Sequence, residues 1–285
     1  MIEQLISASG DIMTLSDKVL LVGGGKMGSA MLRGWLSKGL ATERVRVIEP
    51  DTDVAKAIDE DLAVPVLSNI ENLASDFTPN VIVLAVKPQG MNTIVSGYAK
   101  MAQAGAVTLS IAAGRNVAFL ERYLGCNTAV VRTMPNTPAA IGRGITAAYP
   151  NKHVSSVQKE SCHGLLEAMG EVVWISDEDQ IDPVTAISGS GPAYVFLLIE
   201  CLAAAARKQG LPDEVAAKLA LVTVAGAGEL ALRSEEEASV LRRNVTSPGG
   251  TTAAALEVLM SDEGLENLMM RAVQVATDRS RDLAG

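Results

Sequence analysis

We predict an α/β fold for the first half of this 285-residue chain and an all-helical fold for the rest. In the first half, short apolar runs typical of buried parallel strands alternate with helical segments. After about Asp179, the apolar positions follow a helical pattern up to the C-terminus. The length fits roughly two domains. We place them at residues 17–178 and 179–285, after an N-terminal extension at residues 1–16.

The composition and charge of the chain limit its class of function. Apolar residues make up 48% of the chain but aromatic residues only 3%, so aliphatic side chains and alanine must form the core. The net charge of −9 leaves no basic stripe for phosphates, and we expect no nucleic-acid partner. No stretch reaches the roughly 18 uncharged apolar residues of a membrane span, so we expect no membrane partner. Residues 1–16 lack the pattern of a signal peptide.

The cysteines indicate the compartment. Cys126, Cys162 and Cys201 are odd in number, widely spaced and without a C-x-x-C pair, which fits a reducing cytoplasm rather than a disulfide framework. Only two histidines, His153 and His163, are present, and both lie in a connecting segment where we expect surface positions. The sequence therefore predicts a cytoplasmic protein without a metal site.

A glycine-rich loop follows the first predicted strand, at residues 19–22. Gly23, Gly25 and Gly28 match the pattern G-x-G-x-x-G, and a helix predicted at residues 29–36 follows directly. In such a loop the first glycine allows a tight turn, the second lets a pyrophosphate approach the backbone, and the third lets helix and strand pack closely. This strand–loop–helix context predicts a Rossmann-type dinucleotide-binding domain.

The second predicted strand, at residues 44–48, ends in Glu49. Glu49 lies 21 residues beyond Gly28, where a dinucleotide fold places its ribose contact. A carboxylate there accepts hydrogen bonds from a free ribose diol and repels a 2′-phosphate, which by itself favours NADH. Arg44 and Arg46 on the same strand could offset that charge, so the choice between NADPH and NADH stays open.

Three further predicted strands end in small, polar or proline-bearing loops. The strands at residues 81–86, 107–111 and 130–134 lead into residues 87–89, 112–114 and 135–138. Ligands of open parallel sheets bind beyond the carboxyl ends of the strands. Each loop alone is better explained as a plain strand terminator, but together with the glycine loop they predict one binding rim.

The most distinctive motif is the run NVTSPGGTT at residues 244–252, which precedes an apolar helical run. Its proline and two glycines predict a rigid turn at a helix N-terminus. The unpaired N–H groups and the dipole of such an end attract a carboxylate or phosphate. An ordinary capping turn is the alternative; the nucleotide-binding signature upstream favours the binding site.

The C-terminal part also predicts self-association. The helical run at residues 195–206 is apolar nearly all round and should be buried on several sides. Further helices are predicted at residues 215–232, 252–260 and 263–283. A small helical domain has difficulty burying so apolar a helix unaided, whereas packing against a second subunit would bury it. We therefore infer a homodimer.

Five motifs, in order along the chain, resemble those of the pyrroline-5-carboxylate reductases. They are the glycine loop at residues 23–28 and the segments at residues 85–89, 134–138, 188–194 and 245–252. The two C-terminal motifs are the specific ones, because many dehydrogenases share the glycine loop. The resemblance implies reduction of 1-pyrroline-5-carboxylate to L-proline by NADPH or NADH, the last step of proline biosynthesis. It also implies an N-terminal dinucleotide domain and a helical dimerisation domain, often assembled into larger rings.

The resemblance assigns site residues motif by motif. The implied cofactor contacts are Gly23, Gly25, Lys26, Met27, Gly28, Asn69, Ala85, Val86, Lys87, Pro88, Ala112, Ala113, Gly114 and Asn244. The strand pattern adds Glu49 to this set. The implied substrate contacts are Glu235, Gly249, Gly250, Thr251 and Thr252, with the carboxylate held by backbone N–H groups of the glycine turn. Glu235 lies in a run of three glutamates, a pattern more often found on a solvated face.

The implied reaction needs a hydride at the imine carbon and a proton on nitrogen. An imine nitrogen is basic enough to take its proton from water or through a hydroxyl, so a strong acid is dispensable. Thr252 is our candidate for orienting that nitrogen, with a helix cap as the alternative role. Lys87, at a strand end, suits a cofactor contact or an ion pair better than proton donation.

Two other functions compete with the reductase. A related two-domain dehydrogenase acting on a hydroxy acid would need a lysine or histidine base beside the substrate, and the C-terminal motifs supply none. A nucleotide-sensing protein could keep the fold without turnover, although intact loops on both halves argue against lost activity.

Overall fold

The computed structural model describes residues 17–284, so the predicted N-terminal extension at residues 1–16 lies outside the described residues. The described chain forms two compact units. Unit 1 comprises residues 17–189 together with residues 278–284, and unit 2 comprises residues 190–277. The domain boundary expected between residues 178 and 179 stays a prediction.

Unit 1 is built on an eight-stranded sheet. Its strands are β1 (Val19–Val22), β2 (Val45–Ile48), β3 (Val66–Leu67), β4 (Val81–Leu84), β5 (Val107–Ser110), β6 (Val130–Met134), β7 (Gly144–Pro150) and β8 (Gly170–Trp174). The order across the sheet is β3-β2-β1-β4-β5-β6-β7-β8, and every neighbouring pair is parallel except β6 and β7. The first six strands therefore have the order of a Rossmann fold, which confirms the predicted fold class.

Helices surround this sheet and make up unit 2. Those of unit 1 are α1 (Lys26–Ser37), α2 (Thr52–Leu62), α3 (Met91–Ile94), α4 (Ala99–Gln103), α5 (Val117–Leu124), α6 (Ser156–Glu167) and α7 (Ile181–Val184). Unit 2 contains α8 (Gly191–Lys208), α9 (Asp213–Arg233), α10 (Ala238–Asn244), α11 (Thr251–Leu259) and the first part of α12 (Leu265–Ala284). The helical C-terminal part is thus also confirmed.

The sheet of unit 1 separates two apolar layers. Successive side chains of a strand point to opposite faces, so Val19 and Leu21 join one layer and Leu20 joins the other. In the first layer, the Trp35 side chain of α1 is fully buried and its indole N–H donates to the Leu165 carbonyl at 2.8 Å. This packing fixes α1 against the sheet and so fixes the loop that joins it to β1.

Sequence reasoning missed the strands β3, β7 and β8. β3 has two residues, too few for a periodic signal. β7 reads GITAAYP, with small residues where a buried strand normally carries large aliphatic ones. β8 alternates half-buried and exposed side chains, because it forms the edge of the sheet. β7 and β8 extend the sheet on the side away from β1.

Unit 2 exposes large apolar side chains along its two longest helices. Phe196 and Leu197 of α8 are each 58% exposed, and Leu221 and Val222 of α9 are 54% and 59% exposed. Among the described residues, two helical stretches, Glu178–Lys208 and Asp213–Arg233, could cross a membrane by length and composition alone. Long helices with exposed apolar faces are also expected where a protein packs against a second subunit.

Candidate cofactor site and substrate turn

The three glycines of the loop after β1 have three different environments. Gly23 has φ of +98°, and a Cβ there would lie 2.5 Å from the Ala85 carbonyl oxygen. A Cβ at Gly28 would meet the Gly23 carbonyl oxygen. At Gly25, by contrast, none of the described atoms lies within 4 Å of such a Cβ. The backbone therefore needs glycine at positions 23 and 28 for its own packing, whereas Gly25 leaves open space for a ligand.

The start of α1 is suited to an anion. Gly25 is the N-cap residue in an extended conformation, and within residues 17–284 no side chain caps this end. The first N–H groups of the helix and the positive end of its dipole therefore remain available to a pyrophosphate. The open space at Gly25 lies at the same place, so the residues present fit a dinucleotide.

The Glu49 carboxylate is fixed beside the glycine loop. Its Oε2 accepts a hydrogen bond from the Gly24 N–H at 2.7 Å, and its Oε1 accepts one from the Asp51 N–H at 2.9 Å. A carboxylate has about four lone-pair sites, so further sites remain for ribose hydroxyls. The structure thus places this acid at the carboxyl end of β2 in a defined orientation.

A cleft of about 670 Å³ opens at the carboxyl ends of β1, β2 and β4. The sequence-predicted cofactor residues that line it are Gly23, Gly25, Glu49, Asn69, Ala85, Val86 and Lys87. Its charged side chains are two carboxylates, Glu49 and Glu71, and one ammonium group, Lys87. Asn69 is oriented by its own turn, because its Oδ1 accepts the Asn72 N–H at 3.1 Å.

The remaining predicted cofactor residues of unit 1 lie outside the lining of this cleft. Lys26, Met27 and Gly28 form the first turn of α1, next to Gly25. Pro88 follows Lys87, and residues 112–114 follow β5. In that last loop Ala113 is exposed, whereas Gly114 is buried and a Cβ there would lie 2.8 Å from the Leu283 carbonyl oxygen.

Sequence reasoning missed part of the cleft. The missed polar lining residues are Ser68, Glu71, Thr93, Ser96 and Tyr98. Tyr98 is buried, and burial followed by the nearby Glu71 carboxylate raises the pKa of its hydroxyl well above the usual value. That hydroxyl stays protonated at neutral pH. These residues lie on or beside short helical segments after β3 and β4, which are too short to carry a periodic sequence signal.

The glycine turn of unit 2 ends at the start of α11. Gly249 has φ of +68°, a conformation that favours glycine, and Gly250 is the N-cap residue. In the described chain, no side chain caps this helix end, so its first N–H groups are available to an anion. Thr251 and Thr252 are the first two helical residues, and Thr252 is half-buried. Thr252 is therefore not the N-cap residue, and the turn is not an ordinary side-chain cap.

The two other predicted residues of unit 2 flank α10. Glu235 is exposed in the connection between α9 and α10. Asn244 ends α10, and its Nδ2 donates to the Glu236 carboxylate at 3.0 Å. This bond leaves the Asn244 amide oxygen available for another donor.

Neither histidine lies in the cleft lining. Both are half-buried rather than at the surface, which corrects the sequence expectation. Nδ1 of His163 accepts from the Trp174 indole N–H at 3.3 Å, a packing role near β8. Among residues 17–284, no group of three or more histidine, cysteine or carboxylate side chains could hold a metal ion.

Comparison with known proteins identifies the family. Residues 178–283 match the family described as pyrroline-5-carboxylate reductase dimerisation. Over 94% of this chain, the sequence is 41% identical to the pyrroline-5-carboxylate reductase of Pseudomonas aeruginosa, of which 97% is covered. The chain belongs to the pyrroline-5-carboxylate reductase family. As a member, it is an NAD(P)H-dependent oxidoreductase that reduces 1-pyrroline-5-carboxylate, and its C-terminal region is a dimerisation domain.

Solved structures agree with this assignment. The pyrroline-5-carboxylate reductase of Coxiella burnetii has a TM-score of 0.89 and 34% identity, covering 94% of this chain and 99% of that one. The Plasmodium falciparum pyrroline carboxylate reductase, solved with NADP bound, has a TM-score of 0.81 and 31% identity, covering 95% and 100%. Residues 18–114 also match the family described as NADP oxidoreductase, coenzyme F420-dependent. The resemblance inferred from the motifs is confirmed, and the hydroxy-acid and sensor alternatives are not supported.

Proposed function

We propose that the reductase binds its dinucleotide in the cleft of unit 1 and holds its substrate at the glycine turn of unit 2. The observation that carries the first part is the open space at Gly25, beside the uncapped start of α1. We assign the pyrophosphate to residues 25–28 and the adenosine ribose to Glu49 and Asn69. The loops at residues 85–88 and 112–114, with Asn244, complete the proposed set.

For the substrate, we propose that the carboxylate accepts hydrogen bonds from the backbone N–H groups at Gly249 and Thr251, because the Gly250 N–H already donates to the Ser247 carbonyl at 3.1 Å. These groups lie at a helix start, where the dipole favours an anion. The Thr252 hydroxyl orients the imine nitrogen, and Glu235 lies at the edge of the bound substrate. Bound NAD(P)H supplies the hydride for the imine carbon.

The direct test is to follow oxidation of NADH or NADPH when 1-pyrroline-5-carboxylate is added. We expect oxidation with formation of L-proline. Cofactor binding without oxidation would contradict the proposal and favour a sensor.

We propose that Glu49 weakens binding of the NADP 2′-phosphate. Its carboxylate is held in place by Gly24 and Asp51, and Glu71 adds a second negative charge to the same cleft. Glu49→Ser should therefore raise kcat/KM for NADPH relative to NADH by about three- to tenfold, the effect of removing one partly screened like charge. Steady-state kinetics with both cofactors measures this ratio.

Two control variants separate charge from loop geometry. Glu49→Gln keeps an oxygen acceptor but removes the charge, so it should shift the ratio in the same direction. Glu60→Gln removes an exposed carboxylate on α2 and should leave the ratio unchanged. A ratio unaltered in both Glu49 variants would show that the side chain does not face the 2′ position.

We propose that the exposed apolar faces of α8 and α9 form a homodimer interface, and that further contacts between dimers build larger rings. Contiguous apolar patches of this size are rare on monomers. Both helical stretches long enough for a membrane lie within residues 178–283, the region that matches the dimerisation family. A subunit interface therefore accounts for their composition, and we assign no membrane or nucleic-acid partner.

Light scattering should give a mass of twice 29.7 kDa or a higher even multiple. Leu221→Glu, which places a charge on the exposed face of α9, should dissociate the protein and reduce its activity. Val157→Glu alters an apolar residue of unit 1 that is more exposed than Leu221 and should leave the mass unchanged. A parent protein that is monomeric and fully active at low concentration would contradict the dimer.

We also propose that the protein is cytoplasmic, and we keep the predicted domain boundary. Cys126 and Cys201 are exposed free thiols, which suits the reducing cytoplasm. Burial raises the pKa of the Cys162 thiol to about 12, so that group is unreactive. We retain the boundary between residues 178 and 179; the match to the dimerisation family begins at residue 178, whereas the compact units divide after residue 189.

A further inference from the structure

One side chain joins the two proposed cofactor loops that follow β4 and β5. The Arg115 guanidinium donates from Nε and Nη2 to the Pro88 carbonyl oxygen, at 3.2 and 3.1 Å. Arg115 directly follows the loop at residues 112–114, and Pro88 ends the loop at residues 85–88. The hydrogen bonds therefore connect the ends of both loops.

The guanidinium itself is held in one orientation. It lies over the ring of Phe119, with Cζ 4.6 Å from the ring centroid. Phe119 belongs to the first turn of α5, where its N–H donates to the Asn116 side chain at 2.8 Å. Arg115 is half-buried, so these contacts are partly shielded from water. A planar group stacked on a ring and bonded through two donors loses little further entropy when the loops order.

The loop on the Arg115 side has independent supports. The Val117 N–H donates to the Glu178 carboxylate at 2.8 Å. Gly114 packs so closely under the Leu283 backbone that a Cβ there would lie 2.8 Å from its oxygen. Pro88, on the other side, has no N–H group of its own. Arg115 thus links a well-anchored loop to one with fewer backbone donors.

We propose that Arg115 is a positioning residue for the dinucleotide, which it affects by holding the 85–88 loop through the Pro88 carbonyl. This inference rests on the proposed cofactor site. It predicts that losing the guanidinium lowers affinity for the cofactor, because the loop must then order when the cofactor binds. Affinity for 1-pyrroline-5-carboxylate should change little, because we assign that ligand to the turn of unit 2.

The test compares Arg115→Met, Arg115→Lys and Arg122→Met. Arg115→Met should raise the KM for NADH roughly tenfold and change the KM for 1-pyrroline-5-carboxylate by less than about twofold. Arg115→Lys, which can supply one donor to Pro88, should fall between that variant and the parent. Arg122→Met removes an exposed guanidinium from α5 and should match the parent. Thermal melting checks that all variants fold.

Three outcomes would overturn the proposal. The first is a KM for NADH in Arg115→Met that lies within twofold of the KM in Arg122→Met. The second is a KM for NADH in Arg115→Lys as high as in Arg115→Met. The third is a KM for NADH in Arg115→Lys equal to that of the parent, which would mean that the positive charge alone is responsible. The Gly25→Val variant distinguishes this failure from failure of the cofactor site. If Gly25→Val abolishes NADH binding while Arg115→Met does not change it, only the role of Arg115 is wrong.

Discussion

Thr252→Ala should lower kcat by about ten- to a thousandfold, the range for losing one well-placed hydrogen bond in the transition state. The reason is the position of Thr252 in the first turn of α11, directly after the N–H groups that we assign to the substrate carboxylate. Affinity for NADPH and NADH should barely change, because we assign the dinucleotide mainly to unit 1. Stopped-flow and steady-state kinetics with separate cofactor titration measure both quantities.

Two further variants isolate the hydroxyl of Thr252. Thr252→Ser keeps it and should recover much of the rate. Ser261→Ala removes a hydroxyl just beyond the C-terminal end of α11, where it bonds the Val258 carbonyl, and should have little effect. If serine were as poor as alanine, packing of the threonine methyl would be the better explanation. If both position-252 variants kept full activity, the imine would be protonated without this hydroxyl.

Gly25→Val should abolish measurable cofactor binding, a loss of about a hundredfold or more, while the fold remains intact. Gly25 has φ of −61° and ψ of −174°, which valine adopts without strain, and its Cβ would enter open space. The isopropyl group would then fill the place that we assign to the pyrophosphate. Fluorescence titration with NADH measures the affinity, and thermal melting measures the stability.

Gly28→Val is the matched variant in which valine should disturb the fold itself. A Cβ at position 28 would collide with the Gly23 backbone, so this variant should lower the melting temperature, which Gly25→Val should not. Gly25→Ala, with a smaller side chain, should bind NADH more weakly than the parent but more tightly than Gly25→Val. Normal binding by Gly25→Val would show that the cofactor does not approach the loop at this position.

Five of the first six strands, all except the two-residue β3, were predictable, because buried parallel strands are continuous apolar runs and the glycine loop identifies the first one. β7 and β8 were not, since β7 carries small residues where a buried strand normally has large aliphatic ones and β8 lies at the edge of the sheet. The helical runs of unit 2 were predictable because their apolar pattern is long. Their apolar residues extend over many turns, and most remain exposed in the isolated chain.

The geometry of the candidate site was predictable where it depends on a residue's own backbone and the space around it. The different requirements at Gly23, Gly25 and Gly28 followed from the motif. Contacts between distant residues were not predictable, such as the bond from the Gly24 N–H to Glu49, 25 residues away. The bond from Arg115 to Pro88 depends in the same way on the adjacency of β4 and β5 in the sheet.

The most direct test of the account uses NADH deuterated at C4 of the nicotinamide ring, on the face from which hydride is transferred. Incubation with 1-pyrroline-5-carboxylate, followed by mass spectrometry and NMR of the product, locates the label. Direct hydride transfer to the imine carbon predicts L-proline with one deuterium at C5 of its ring. Unlabelled proline, or cofactor that stays reduced in the presence of substrate, would contradict the account.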